Sequence, residues 1–356
     1  MIKYTLIPDY SPYLNKLNIV YPLGLVSPNT RSPRESLLDF FYYFLDTLNC
    51  HERGLKVNIL VQKYPHSKRI NKNNYPNLQI TFVEIECQDV WIRDWAAMPV
   101  LVNVPQKNKK FTSLKPSEVS SIKTVYDPTY CPVKQETDNE AGLKLAKSSR
   151  LRVEYSNLKW DLGNFTTNGD SLIITEKFIE ANAESGSEDE IGDLLYLLKD
   201  KFSLTNVVVL PVEENDMVGH IDSICRFIDN HTVVIPQYPN ESDYEGEYNY
   251  IQKIKEILKK CLPLIDVLEI PSDVSDKMNP EEIYSAEGCY VNYFRVGNNL
   301  YIPQYNIYED DQALTVFKRY SRMRNPELNL IPINNSNKLA YLGGVLNCFT
   351  NLTIDS

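Results

Sequence analysis

The sequence lacks the features of exported, membrane-spanning and disulfide-rich proteins. No apolar run among its 356 residues reaches the roughly 18 residues that a membrane-spanning helix requires. The N-terminus, MIKYTLIPDYSPYL, has neither the basic start nor the apolar core of a signal peptide. Its seven cysteines are odd in number and form no C-x-x-C pair. These absences predict a cytoplasmic protein with free thiols and no membrane association.

Metal ions, cofactors and nucleic acids also find little support. The four histidines show no H-x-x-x-H or Cys/His spacing, so we predict no metal site and no cofactor. A net charge of −10 and a pI of about 5.1 argue against nucleic acid as the main partner. Hydrophobic content of 43% and charged content of 24% are typical of a globular domain. Homo-oligomerisation is left open by the sequence.

Two segments of the chain resemble each other closely. CRFIDNHTVVIPQY (225–238) and NYFRVGNNLYIPQY (292–305) each contain an apolar strand, a polar turn, a second strand and Ile-Pro-Gln-Tyr. Asn and Gly at the turns predict β-hairpins. A predicted helix and a buried strand follow each copy, at 248–262 and 266–271 in the first. The repeated unit is therefore strand, hairpin and helix.

Three further copies extend the repeat over the chain. A third hairpin covers 164–178, and its helix at 188–202 begins with the capping-box residues Ser187 and Glu190. A looser copy spans 81–103, and a shortened one covers 339–352. Five units of roughly 65 residues predict one α/β domain, 1–356, with a propeller-like or array architecture.

Each unit carries polar residues at the start of its hairpin. In chain order these are Asp94, Asp161 with Asn164, His220 with Asp222, Asn292, and Cys348. If the five units surround an axis, these side chains meet at its centre. Because alternate residues of a strand share a face, His220 and Asp222 are expected to point the same way.

Each of these residues has a structural interpretation when it is taken alone. Arg93 and Asp94 would form an ordinary ion pair, His220 would be a satisfied core residue, and Cys348 a packed thiol. Trp91 is more often a core residue than a ligand platform. Their joint occurrence at equivalent positions of a repeat favours a catalytic site instead.

The motifs W-x-R-D, D-x-G-N, G-H-x-D, Y-V-N and G-G-x-x-x-C-x-T-N occur in this order over 85–352. The chain resembles the agmatine deiminase and bacterial peptidylarginine deiminase family of the guanidine-modifying pentein superfamily. This resemblance implies a five-bladed α/β propeller of pseudo-fivefold repeats with the active site on its axis. It also implies that a thiol hydrolyses the guanidino group of a small cationic substrate.

The resemblance assigns a role to each polar residue. Asp94 and Asp222 would hold the guanidinium nitrogens, and Cys348 would attack the carbon to form a covalent amidino intermediate. His220 would protonate the departing ammonia and then activate water. The remaining residues expected to bind or support the substrate are Asp161, Asn164, Asn292, Trp91 and Arg93.

Two departures from the family pattern leave the substrate open. Asn347 stands where a histidine commonly precedes the nucleophile, and Leu162 replaces the first glycine after the acidic residue. Agmatine, giving N-carbamoylputrescine for putrescine biosynthesis, is the leading substrate, and peptidyl-arginine is the alternative. Further alternatives are an amidinotransferase and a catalytically silent guanidine-binding or scaffold protein. Loops at 104–124 and 238–250 are candidate lids.

Overall fold

A computed structural model describes residues 2–22, 34–62, 69–104, 116–128, 130, 135–213, 216–279 and 283–355. Within these ranges, no helix is long and apolar enough to cross a membrane. The Cys131 thiol lies outside them, and the other six cysteines are all free thiols.

Strands account for much of the described chain. They are β1 (Tyr4–Leu6), β2 (Lys16–Val20), β3 (Leu55–Val61), β4 (Leu78–Glu84), β5 (Met98–Val102), β6 (Val119–Val125), β7 (Arg152–Lys159), β8 (Thr166–Thr167), β9 (Ser171–Thr175), β10 (Asn206–Leu210), β11 (Arg226–Phe227), β12 (Thr232–Gln237), β13 (Asp266–Pro271), β14 (Phe294–Val296), β15 (Asn299–Pro303), β16 (Asn329–Ile333) and β17 (Asn351–Thr353).

Helices connect and flank these strands. They are α1 (Arg34–His51), α2 (Ile92–Trp95), α3 (Glu136–Ser148), α4 (Glu176–Asn182), α5 (Glu188–Phe202), α6 (Ile221–Ile224), α7 (Glu245–Cys261), α8 (Glu309–Arg324), α9 (Asn337–Ala340) and α10 (Leu346–Phe349). Short 3₁₀ turns lie at Lys72–Asn74, Pro116–Glu118, Leu162–Asn164 and Ser242–Tyr244.

The strands form five small sheets with a shared pattern. Their orders are β1-β5-β6-β7, β8-β9-β10, β11-β12-β13, β14-β15-β16 and β17-β2-β3-β4. Each sheet contains an antiparallel pair of strands. The second strand of that pair also pairs in parallel with a third strand, which follows the next helical connection. The predicted α/β unit of strand, hairpin and helix therefore recurs in all five sheets.

The fifth sheet joins the two ends of the chain. β17 pairs antiparallel with β2, so that Asn351 lies opposite Asn18. A buried amide ladder reinforces the junction, because Asn18 Nδ2 donates to Asn351 Oδ1 at 3.1 Å and accepts at Oδ1 from Asn58 Nδ2 at 2.8 Å. Residues 339–352 are thus not a shortened unit, since the N-terminal strands and α1 complete it.

Several predicted boundaries agree with the structure. α5 covers the predicted 188–202, and β13 covers the predicted 266–271. Ser187 Oγ accepts from the Glu190 amide at 3.3 Å, as a capping box requires. The Glu190 carboxylate, however, accepts from the amides of Glu184 and Ser185 at 2.7 and 2.8 Å rather than from the cap residue.

Other sequence predictions were wrong. The segment 81–103 is not a hairpin, because its two strands, β4 and β5, belong to different sheets. β5 instead pairs with β6. The candidate lid at 238–250 consists largely of a 3₁₀ turn and the start of α7, and residues 116–124 of the other lid form a 3₁₀ turn and most of β6. Residues 105–115 of that lid lie outside the described residues.

Aromatic packing ties the end of the chain to the core. Phe349 in α10 packs edge-on against Phe40 and Phe44 of α1, each with ring centroids 5.9 Å apart. All three side chains are fully buried or nearly so. Because edge-to-face pairs fix ring orientation as well as burying area, α1 anchors the short helix that carries Cys348.

Candidate active site

Short helical turns carry the predicted site residues. Each turn lies immediately before the first strand of a sheet's hairpin: α2 carries Asp94, a 3₁₀ turn carries Asn164, α6 carries Asp222, and α10 carries Cys348. These four positions are equivalent in their sheets, and Asn292 of the remaining unit lies in a bend just before β14. The turns point polar groups into the protein because their neighbours Ile92, Leu162, Ile221 and Leu346 are buried.

His220 and Asp222 do not share the face of a strand, contrary to the sequence prediction. His220 is the N-cap residue of α6, and Asp222 lies in its first turn. The helical turn rotates the two side chains apart. The imidazole faces Asp94 and Asp161, whereas the Asp222 carboxylate faces Asn347 and Cys348.

The imidazole of His220 lies between two carboxylates. Nδ1 is 3.5 Å from Asp94 Oδ1, and Nε2 is 3.2 Å from Asp161 Oδ2. Burial disfavours the charged ring, but the carboxylates of Asp94, Asp161 and Asp222 outweigh it and raise the pKa of His220 to about 10. At neutral pH the site therefore holds an imidazolium that can donate a proton.

Asp94 presents an unsatisfied acceptor to the same space. Its Oδ1 is buried and makes no hydrogen bond to any described residue. Burial raises the pKa of this carboxyl well above its usual value, and Asp222 and Asp161 add to the shift although His220 opposes it. The His220 ring lies 3.5 Å from this oxygen without donating a hydrogen bond to it, so the oxygen can still accept one from a cationic ligand.

The thiol of Cys348 is held by an amide and a carboxylate. Its Sγ lies 3.3 Å from Asn292 Nδ2 and 3.6 Å from Asp222 Oδ2. Burial raises the pKa of Cys348 well above its usual value, and the carboxylates of Asp222 and Asp94 raise it further. Burial, together with the carboxylates of Asp222 and Asp94, thus keeps the thiol of the free enzyme protonated.

The remaining predicted residues lie around this cluster. Asn164 Oδ1 accepts from the Thr175 amide at 3.0 Å. The guanidinium of Arg93 contacts Asp9 and Asn347. The Trp91 ring lies against Gly344, where an added Cβ would sit 2.8 Å from Cζ3. Gly344 therefore lets the backbone before the nucleophile approach this indole.

Three residues near the site had no prediction attached to them. Tyr130 places its ring 5.6 Å from the His220 ring, and its hydroxyl lies 3.4 Å from Asp161 Oδ2. Asp9 accepts from Arg93, and Asn347 donates to Asp222. Only Asn347 had a signal, as a departure from the family pattern beside the nucleophile. Tyr130 and Asp9 are brought in by folding, and their local sequence has no motif.

A pocket opens beside the imidazole. His220, Asp161 and Tyr130 lie in its wall together with Asp127, Lys159 and Lys177. Lys159 Nζ is 2.8 Å from Asp127, and Lys177 Nζ is 3.1 Å from Glu180. Among the described residues, no group of three or more His, Cys, Asp or Glu side chains is arranged to hold a metal ion.

Solved structures of agmatine deiminases have a similar fold. The C. jejuni agmatine deiminase, solved as a serine-for-cysteine variant with substrate bound, is 20% identical with a TM-score of 0.77, covering 99% of this chain and 97% of that one. The Enterococcus faecalis agmatine deiminase is 16% identical with a TM-score of 0.77, covering 99% and 96%. A comparison with curated proteins gave no match.

The element order and the structural neighbours together define a mixed α/β fold. The Porphyromonas-type peptidyl-arginine deiminase family matches residues 33–352. The chain belongs to this family, whose deiminases are hydrolases that act on carbon–nitrogen bonds.

Proposed function

We propose that this protein hydrolyses the guanidino group of a linear amidine to a ureido group and ammonia. Cys348 is the nucleophile, and agmatine, converted in the cytoplasm to N-carbamoylputrescine, is the leading substrate. The observation that carries the proposal is that the carboxylates of Asp94 and Asp222 form a frame around the imidazole and the thiol. Asp222 lies 3.6 Å from the Cys348 sulfur, and Asp94 lies 3.5 Å from the His220 ring.

A guanidinium fits this frame because it is planar, permanently charged and rich in N–H donors. Asp94 offers a buried oxygen without a hydrogen-bond partner among the described residues. Asp222 accepts hydrogen bonds from a second side of the cation. Held between them, the guanidinium carbon is presented to the Cys348 sulfur. No cofactor or metal takes part in the steps proposed below.

Binding of the cation creates the nucleophile. The charge of the guanidinium compensates Asp94 and Asp222, which raise the pKa of Cys348 in the free enzyme. The thiol then loses its proton to water, and the thiolate attacks the guanidinium carbon. His220, already protonated, donates its proton to one amino group of the tetrahedral adduct. Ammonia leaves, and a cationic amidino-thioether remains on Cys348.

The second half of the reaction uses the same imidazole as a base. Neutral His220 takes a proton from water while the oxygen attacks the amidino carbon. Collapse of this adduct expels the thiolate, and loss of one proton gives the ureido product. His220 is again an imidazolium. Because the pKa of His220 in the free enzyme is about 10, kcat/KM is expected to fall as pH rises through that value.

The five-sheet pattern supports a five-bladed propeller formed by one enzyme domain that spans residues 1–356. Each sheet presents polar residues at the start of its hairpin, and their side chains contact one another across sequence separations as large as 254 positions, from Arg93 to Asn347. Arrangement of equivalent turns around one axis explains this convergence. The proposal therefore places the guanidinium on that axis.

Peptidyl-arginine is a second candidate substrate. Lys159 and Lys177 line the pocket beside His220. Lysine side chains do not favour the ammonium end of agmatine, whereas the backbone of a peptidyl-arginine is uncharged. An amidinotransferase would share the thiol step but transfer the amidino group to an amine. A silent binding protein would have no need of the Cys348 thiol.

Ammonia release separates these candidates. Purified protein is incubated with agmatine, arginine or an arginyl peptide, and both ammonia and the ureido product are quantified. Deimination of agmatine gives equal amounts of ammonia and N-carbamoylputrescine. Turnover of the peptide alone would reassign the substrate, and amidino transfer to an added amine without ammonia would reassign the reaction. No product with any guanidine would contradict the proposed hydrolysis.

Neutralising either substrate carboxylate is expected to weaken catalysis strongly. Asp94→Asn and Asp222→Asn each remove a charge-assisted hydrogen bond, which contributes about 1.5–3 kcal/mol. We expect kcat/KM to fall by roughly ten- to a hundredfold in each variant. The effects are expected to be less than additive, since both groups hold one cation. Unchanged steady-state kinetics in either variant would make that carboxylate a purely structural group.

A cationic alkylating reagent is expected to distinguish Cys348 from the other thiols. A haloacetamidine carries the charge of a guanidinium, so it compensates Asp94 and Asp222 and favours the thiolate. At pH 7 it is expected to label Cys348 faster than neutral iodoacetamide does, in contrast to the exposed thiols of Cys50 and Cys261. Peptide mass spectrometry measures both rates. Equal preference at all three cysteines would contradict substrate-assisted ionisation.

A further inference from the structure

A buried chain of polar side chains runs from the N-terminal segment to the nucleophile. Asp9 accepts from Arg226 at 2.8 Å and from Arg93 at 3.2 Å. Arg93 Nη2 donates to Asn347 Oδ1 at 2.9 Å, and Asn347 Nδ2 donates to Asp222 Oδ2 at 2.7 Å. The same Asp222 oxygen lies 3.6 Å from the sulfur of Cys348.

The end of this chain of side chains that lies farthest from Cys348 is held by several contacts. Arg226 is 2% exposed and donates to the carbonyl groups of Tyr293 and Val291. Its guanidinium also lies 4.2 Å above the Tyr293 ring. Burial opposes the charge of Asp9, but Arg93 and Arg226 outweigh it and lower the pKa of this carboxyl. Asp9 therefore stays ionised and holds the Arg93 fork in one orientation.

The Asn347 amide can satisfy its neighbours in one orientation only. Arg93 is a donor without acceptor capacity, so it requires the amide oxygen, and the Asp222 carboxylate requires the amide N–H. The backbone of Asn347 is also held, because its N–H donates to Asn292 Oδ1 at 2.9 Å. Because the Asn347 amide binds Arg93 through its oxygen and Asp222 Oδ2 through its nitrogen, the orientation of Arg93 fixes the position of that carboxylate oxygen.

We propose that Asn347, oriented by Arg93 and Asp9, is a positioning residue that fixes Asp222 Oδ2 beside the nucleophile. The inference rests on the proposed deimination, in which Asp222 holds the guanidinium. With Oδ2 bound to the amide, Oδ1 is the oxygen directed to the substrate. Asn347 supplies this bond as a neutral group, so the positioning persists across the pH range in which a histidine would titrate.

Kinetics of two variants and their combination test the chain. Asn347→Ala removes the bond to Asp222, and Arg93→Lys keeps the charge beside Asp9 but loses the fork that reaches the amide. Each is expected to lower kcat/KM by about ten- to a hundredfold, mainly through kcat, because a loosened Asp222 misaligns the carbon. The double variant is expected to be no worse than the more impaired single variant within about twofold, since both act through one bond.

A control separates positioning from general damage. Asn77→Asp removes an amide donor to the Asn49 carbonyl, outside the site, and is expected to leave kcat/KM unchanged. Wild-type kcat/KM in Asn347→Ala or Arg93→Lys would overturn the proposal. Multiplied losses in the double variant would overturn it as well, because they would show two independent roles.

Alkylation of Cys348 by iodoacetamide tests the chain even if no guanidine is turned over. Asp222 Oδ2 faces the sulfur and accepts from its S–H. Release of that oxygen is expected to move the pH midpoint of alkylation downward, equally in Asn347→Ala and Arg93→Lys and not in Asn77→Asp. A lowered midpoint together with inactive wild-type enzyme would reject the proposed function and support the positioning chain. Midpoints equal to that of the wild type would reject the chain itself.

Discussion

Cys348→Ala is expected to abolish deimination while the protein stays folded. The substitution removes the nucleophile, and residues that form covalent intermediates typically contribute a factor of about a thousand or more to turnover. The lost side-chain contacts of the sulfur are polar ones to Asn292 and Asp222, so little packing is removed. We expect no ammonia above a mock-purified control, with an unchanged circular dichroism spectrum and Tm.

The matched control for this variant is another half-buried cysteine. Cys289 is exposed to a similar degree, and its sulfur contacts the Ser223 carbonyl at 3.7 Å and the backbone N–H groups of Val291 and Asn292. Cys289→Ala is expected to retain wild-type turnover. Residual ammonia release by Cys348→Ala at more than a few per cent of the wild-type rate would reject the covalent mechanism.

Local sequence was sufficient to predict most of the repeated unit. Polar turns between apolar strands located the hairpins, and an N-cap serine located the start of α5 at Glu188. The polar residues at the start of each hairpin were also found in advance. These signals are short in range, because turn chemistry and helix capping act within a few residues.

The fifth sheet could not be predicted in the same way. β17 and β2 are separated by more than 300 residues, with Asn351 opposite Asn18. Nothing in either strand alone identifies its partner, since backbone pairing carries little sequence information. The chain end therefore looked like an incomplete unit, although the N-terminal strands complete it.

The orientation of the site residues could not be predicted from the sequence either. His220 and Asp222 were assigned to a strand, whereas α6 turns them toward different partners. A four-residue helix has too little periodicity to be recognised in a sequence. The contribution of Asp9 was also hidden, because its contacts with Arg93 and Arg226 span 84 and 217 positions.

The orientation of Gly163, which lies against Asp94 and His220, was likewise not evident from the sequence. The segment Asp161-Leu162-Gly163-Asn164 departs from the family pattern at Leu162, whose side chain is only 2% exposed and packs into the core. Gly163 is the residue that faces the site. A Cβ added there would lie 2.5 Å from His220 Nδ1 and closer still to Asp94 Oδ1. The Leu162 side chain therefore points into the core rather than into the space beside the imidazole.

Gly163→Ala is consequently expected to reduce kcat/KM by about a hundredfold or more. Its methyl group must displace the imidazole or the Asp94 carboxylate, and a shift of about 1 Å in a catalytic group costs about that factor. Gly163 does not need the left-handed backbone that favours glycine, so the effect arises from the added side chain. Gly192→Ala in α5 is the matched control, because a Cβ there meets no atom within 4 Å. That control is expected to keep full activity and gain slightly in Tm, since alanine is favoured over glycine in a helix. Wild-type kcat/KM in a folded Gly163→Ala protein would show that Asp94 and His220 do not act from the positions described.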